Sequence, residues 1–391
     1  MNNHLDIASV VIYLTMFSSS LVFVAIAEKY LYKKDGTLFK SRQLCIGLFF
    51  LSIAVLIPCL FAAFRGANVG GDVGTYIVDN FEYGKKESVG LSEFRKYVNL
   101  QIPEVLFAVI MFTCCKLGSI QLLFFIIEFL VIVPLTIAMV KSRSKGSLVL
   151  GFVVFYFLFY NFSLSGMRQS IAMSFVLLAV VLAVEKKYIR TIILIVIAQL
   201  FHSSTILVAS LIVVCFLINC SRKKNKLSLI FAGSLVFVYL SFSTFSTRIA
   251  AVVSRLNPRY GYYISYYFHN GINIGDIPST DIIIKTSLVI IPLVMIKAMK
   301  KYSFVDDMML AFVLLGRYFV LFNGVFYEAL RIAYFFDLFI ILYMFRCLTV
   351  IKKSSNRFVM ICSSSIISFV YWIYFIMYIG GYGTNLLTFG D

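Results

Sequence analysis

The chain has 391 residues, of which 61% are hydrophobic and only 14% charged, and its mean hydropathy is +0.94. A soluble protein of this length needs far more polar residues to cover its surface, so the composition describes a polytopic membrane protein. The net charge of +17 points to nucleic acid only where membrane topology leaves it unexplained.

In chain order, apolar runs fall at about 7–27, 44–64, 105–115, 120–140, 148–163, 168–185, 190–201, 204–218, 228–246, 281–297, 306–324, 331–349 and 357–379. Short basic loops separate them at 28–43, 141–147, 186–190, 220–226, 297–302 and 346–357, and these hold 22 of the 35 Lys and Arg residues. Lys and Arg are retained on the cytoplasmic side during insertion. Placing all six loops there puts both termini outside, makes the charge mostly a topology signal and leaves nucleic acid a remote reading.

Both termini outside requires an even number of crossings. Twelve runs therefore cross, and the short run 105–115, which ends at Lys116, is predicted to be re-entrant or half-helical. Basic loops on both sides of 190–218 make it a hairpin of two short arms, with its tip at Phe201-His202-Ser203. The predicted fold is all-α, one membrane domain over 1–391, with about twelve transmembrane helices and larger outward loops at 65–104 and 247–280. The opening MNNHLD lacks a basic n-region, so the first run reads as an uncleaved helix. The eight cysteines lie in or beside apolar runs without metal-ligand spacing, and read as small buried residues. Neither a metal nor another cofactor is expected.

The charges that topology leaves over carry the chemistry. Arg65, Arg168, Arg255, Arg259 and Arg331 fall in outward loops or at outward helix ends, where positive charge is disfavoured. A guanidinium offers a fixed fork of donors suited to phosphate and carboxylate. In AAFRGANVGGDVGTY (62–76) the glycines allow a flexible loop that brings backbone amides and Arg65 towards an anion, with Asp72 in reach. Arg168 opens the helix after Gly166, and it serves equally as a snorkelling arginine. His202 is a candidate acid or base or a structural hydrogen-bonder. In RYGYYISYYFH (259–269), aromatics such as Tyr263 suit either an interface belt or stacking on sugar rings. Glu128, Arg317 and Asp337 sit inside apolar runs, and Arg317 with Asp337 is predicted to be an interhelical pair. His4 and His269 have no supporting context, and GxSxG, HExxH, Walker A and GxGxxG motifs are absent.

Four stretches in order, FRGANVGGDVGTY (64–76), FSLSGMRQSIAMSF (162–175), AQLFHSSTILV (198–208) and LRIAYFF (330–336), resemble the Wzy-type polysaccharide polymerases, and most closely their EpsG-like branch. The departure is Val73, where that branch often has an aromatic. The resemblance implies a metal-independent glycosyltransferase of the inner membrane, with its active site at the periplasmic face. It transfers a growing glycan from undecaprenyl diphosphate onto a new lipid-linked repeat unit, towards O-antigen or another exopolysaccharide. It also implies a chain-length regulator as partner, alongside the lipid-linked oligosaccharide and the bilayer. By position, Arg65, Asp72, Arg168, His202 and Arg331 match the polar positions of the family's motifs, with Arg65, Arg168 and Arg331 as diphosphate ligands and Asp72 or His202 as the base. Tyr76, Arg259 and Tyr263, in the outward loops, are candidate glycan contacts. An O-antigen ligase, expected to carry a late outward loop with an essential histidine, and a flippase of the same lipid are the rival readings.

Overall fold

The computed structural model describes residues 5–32, 42–66, 68–142, 148–221, 283–290, 304–321, 328–351, 353–385 and 387. Among them every regular element is helical. The chain divides into two compact units, Met1–Ile206 with Ile361–Asp391, and Leu207–Met360.

In the first unit, α1 (Ile7–Leu31) pairs with α2 (Arg42–Ala63), and α2 packs on α6 (Ile120–Ser142). α6 packs on α8 (Met167–Val184), α8 on α9 (Tyr188–Phe201), and α1 also meets α7 (Leu148–Ser165). α1 starts where the Asp6 carboxylate accepts the Ser9 N–H at 2.9 Å. α2 contains Pro58, which lacks an N–H and so frees the carbonyl of Ala54. Ser20 of α1 donates to that carbonyl at 2.7 Å and meets the Tyr156 hydroxyl at 2.5 Å. Tyr156 lies in a wide turn of π geometry, Tyr156–Tyr160, inside α7, and Tyr160 donates to the Pro58 carbonyl at 2.9 Å. The carbonyl freed in α2 is thus satisfied from α1, as hydrocarbon surroundings require, and the wide turn of α7 is tied to the same stretch of α2 through Tyr160.

The two ends of this bundle differ in chemistry. At one end Glu28 accepts the N–H groups of Leu148 and Val149 at 3.4 and 3.2 Å, and Glu185 pairs with Lys141 at 3.1 Å and Lys187 at 2.7 Å. The ends of the basic loops 28–43, 141–147 and 186–190 therefore emerge together, as the charge pattern predicts. The other end carries Arg65 and the turn 165–168; α9 ends at Phe201, and the next helix, α10, is Thr205–Ser221. The polar stretch after Arg65 is more ordered than an open loop, because Phe81, Phe94 and Val98 are buried and fold it into α3 (Val78–Lys85) and α4 (Leu91–Val98). α5 (Val105–Lys116) is a 12-residue helix, about 18 Å long and too short for a bilayer core.

Seven helices among the described residues are long and apolar enough to cross a membrane. α5, α9 and the apolar part of α10 are shorter. The run 228–246 and the outward loop 247–280, with Arg259, Tyr263 and His269, lie outside the described residues, as does His4.

In the second unit, α11 (Phe304–Leu321) packs on α12 (Glu328–Asp337) and α13 (Phe339–Val350). α11 carries Asp306, Asp307 and Arg317, too many charges for a simple span. Asp306 pairs with Arg346 at 2.7 Å, and the predicted Arg317–Asp337 pair is present. A third member joins it: Lys285, in the helical segment 283–290, lies 3.3 Å from Asp337. All three side chains are at most 4% exposed. Gly316 makes the approach possible, since a Cβ there would lie 2.6 Å from the Asp337 Oδ1. α14 (Ser354–Tyr371) continues into the wide turn Trp372–Tyr378 of the first unit.

Candidate active site

The site is built on the loop that follows α2. Gly70 has φ +103°, the left-handed region open to glycine, and a Cβ there would lie 2.4 Å from the Leu164 carbonyl oxygen. The loop can therefore lie flat on the α7–α8 turn. Gly70 N–H donates to the Gly383 carbonyl at 2.9 Å, and Gly71 N–H to the Ser165 hydroxyl at 3.0 Å. These two amides are spent on holding the loop and are not offered to an anion. Two segments distant in sequence clamp it from either side. The C-terminal one is fastened in turn: Thr384 accepts from Tyr13 at 3.0 Å and from Asn161 at 3.0 Å, and Trp372 donates to Asn161 at 3.0 Å.

Arg65 opens the loop and is 4% exposed. One Nη contacts the Met167 sulfur at 3.2 Å, and the guanidinium lies 4.5 Å over the Phe124 ring. Its Nε and Nη1 have no hydrogen-bond partner. Burial pulls this guanidinium below its ordinary pKa, opposed by Glu128 first and then by Tyr160, Tyr13 and Asp72. Two aimed but unused donors on a buried cation are costly unless an anion completes them.

Asp72, half-buried, precedes a second wide turn of π geometry, Val73–Ile77. That turn folds Tyr76 back, so its hydroxyl donates to Asp72 at 2.5 Å. Arg168 donates to the same hydroxyl at 3.2 Å, lies 5.1 Å over its ring, and pairs with Glu104 at 2.5 Å. Burial, reinforced by Asp72 against the pull of Arg168, holds the Tyr76 phenol above its ordinary pKa, so it stays a donor. The result is a chain Glu104–Arg168–Tyr76–Asp72 that ends on a half-buried carboxylate.

The structure thus brings Arg65, Asp72, Tyr76 and Arg168 together. Tyr76 is a buried link in the chain, and Arg168 is already neutralised by Glu104. Among the described acids of the loop, only Glu104 is spaced to reach back to α8, a pairing the linear sequence does not signal. His202 caps α9, is buried, and its Nδ1 accepts the Ser204 N–H at 3.3 Å. Phe201 stacks on Phe175 at 6.2 Å. Phe175 lies two turns along α8 from Arg168, about 10 Å, so His202 sits at a deeper level. Arg331 lies on α12 in the second unit, partly buried. Among the described residues no three His, Cys, Asp or Glu side chains converge in a way that would hold a metal ion.

The sequence profile of the EpsG family matches residues 48–387. No curated protein and no solved structure is detectably similar to the chain. The match spans most of the chain, which therefore belongs to the EpsG family, a family of polymerase-like membrane proteins of polysaccharide biosynthesis.

Proposed function

We propose that this EpsG-family chain is a polysaccharide polymerase that transfers a growing glycan from undecaprenyl diphosphate onto a new lipid-linked repeat unit, at the outer face of the inner membrane. One observation carries the reading: a buried guanidinium, Arg65, with two unused donors, shares the glycine loop with Asp72, the carboxylate that accepts from Tyr76. In the reaction an acceptor hydroxyl loses its proton, its oxygen bonds to the sugar C1 of the donor, and the bond from C1 to the diphosphate oxygen breaks. Arg65 takes the charge that develops on the leaving diphosphate. Asp72 takes the proton, as the half-buried carboxylate of the pair. His202 serves this role less well, because its Nδ1 is engaged and the ring proton then sits on Nε2. Arg168, committed to Glu104, orients Tyr76 and Asp72.

Deleting the gene tests the class. A polymerase is expected to leave surface glycan of single repeat units without a ladder on gels. Intact polymer held on its lipid carrier identifies a ligase instead, and absence of external repeat units a flippase.

The glycine loop gives a sharper comparison. Gly70→Ala, forced into a left-handed conformation that costs about 1–2 kcal/mol and pressed against Leu164, is expected to lose at least tenfold in polymer output. Gly74→Ala, whose Cβ meets nothing within 4 Å, is expected to match the parent. Equal output from the two, at equal protein level by immunoblot, removes the loop from the site.

A further inference from the structure

Glu128 has no part in the mechanism above, yet it is 1% exposed in the middle of a membrane span. It stands one turn beyond Phe124 on α6, at the i, i+4 spacing that shares a face, and Phe124 is the ring under the Arg65 guanidinium. The charge is near but not paired. Among the described residues no carboxylate oxygen lies within the 4.0 Å of an ion pair with Arg65. The other ionisable groups that interact with Glu128 are Cys59 of α2 and Tyr156 and Tyr160 of α7. α8 offers only Arg168, committed to Glu104, and Lys116 of α5 is bonded to the Lys86 carbonyl.

The Ser163 hydroxyl makes this carboxylate unusual. Its oxygen lies 2.9 and 3.1 Å from the two Glu128 oxygens and 2.6 Å from the Tyr160 carbonyl. A hydroxyl has one proton and can also accept. With Glu128 charged, Ser163 donates to it. With Glu128 neutral, Ser163 donates to the Tyr160 carbonyl and accepts from Glu128. Rotation of one hydroxyl therefore serves both protonation states, without movement of a helix.

We propose that Glu128 is the resident counter-charge of Arg65, and that it takes a proton from solvent when an anionic diphosphate binds Arg65 in its place. This rests on Arg65 being the anion ligand. Glu128 is then a positioning residue: charged, it keeps an empty, buried arginine tolerable, and neutral, it leaves the full guanidinium charge to the substrate.

The test is calorimetric binding of farnesyl diphosphate to the full-length protein in detergent, from pH 6.5 to 8.5, in two buffers of different ionisation enthalpy. The wild type is expected to take up a proton beyond the probe's own titration, with Kd rising by up to about tenfold per pH unit. Glu128→Gln is expected to bind at least as tightly and to lose both that uptake and its pH dependence. Ser163→Ala, which keeps the carboxylate but removes its donor, is expected to move the uptake to higher pH. Wild-type uptake in Glu128→Gln overturns the proposal. If that variant does not fold, an unchanged profile in Ser163→Ala overturns it. Undiminished binding by Arg65→Ala is a different failure, and sinks the site itself.

Discussion

An Arg65→Ala protein is expected to accumulate normally in the membrane and to make no long polymer, its rate falling about 10²–10³-fold. Both halves follow from the same geometry. The guanidinium is 4% exposed and, among the described residues, hydrogen-bonds only a thioether sulfur, so folding gains little from it and bears the cost of desolvating a cation. Such a residue is retained for what it binds. A leaving diphosphate gains charge as its bond to C1 breaks, and a buried donor fork in a site of low dielectric acts on that charge most strongly. Lysine is not expected to rescue, since a compact point charge lacks the separately directed, fixed donors that Nε and Nη1 present. The ladder on gels, read against protein level, measures the effect. Normal long chains from Arg65→Ala at normal expression would remove this residue from the reaction.

Asp337→Ala is expected to act on folding, and severely. Asp337 is fully buried and, among the described residues, pairs with both Lys285 and Arg317. Removing it takes from two buried cations the carboxylate they share, which by analogy with broken buried pairs costs about 3–5 kcal/mol. The yield of monodisperse protein after detergent extraction should collapse. Lys285→Met leaves a one-to-one pair with Arg317 and should be tolerated far better. If Asp337→Ala and Lys285→Met extract equally well, the cluster does not hold the second unit together.

The basic loops were legible because insertion leaves its bias in plain composition, and Glu28, Lys141, Glu185 and Lys187 do share one end of the bundle. The helix break at His202 was legible for the same reason. The Arg317–Asp337 pair was legible because a lone charge in an apolar run needs an opposite one. Lys285 was not, since its side chain joins them from a separate segment with no spacing to announce it. The role of Tyr76 was hidden by the wide turn Val73–Ile77, which changes the angle between residues 72 and 76. The glycines were read correctly as turn formers and less well as anion ligands, because the amides of Gly70 and Gly71 are bonded to Gly383 and Ser165. The Glu104–Arg168 pairing spans 64 residues and needs the fold.

The bond between Gly70 and Gly383, with Tyr13 reaching Thr384 across 371 residues, has a consequence for biogenesis. The ribosome makes the arginine loop early, and the strand of chain that fastens it leaves the tunnel only after every described span has been synthesised. A molecule halted during insertion therefore carries Arg65 and Asp72 but not the clasp that holds their loop. The conformation of the arginine loop is therefore set only once residues 383–384 have been made, long after the loop itself.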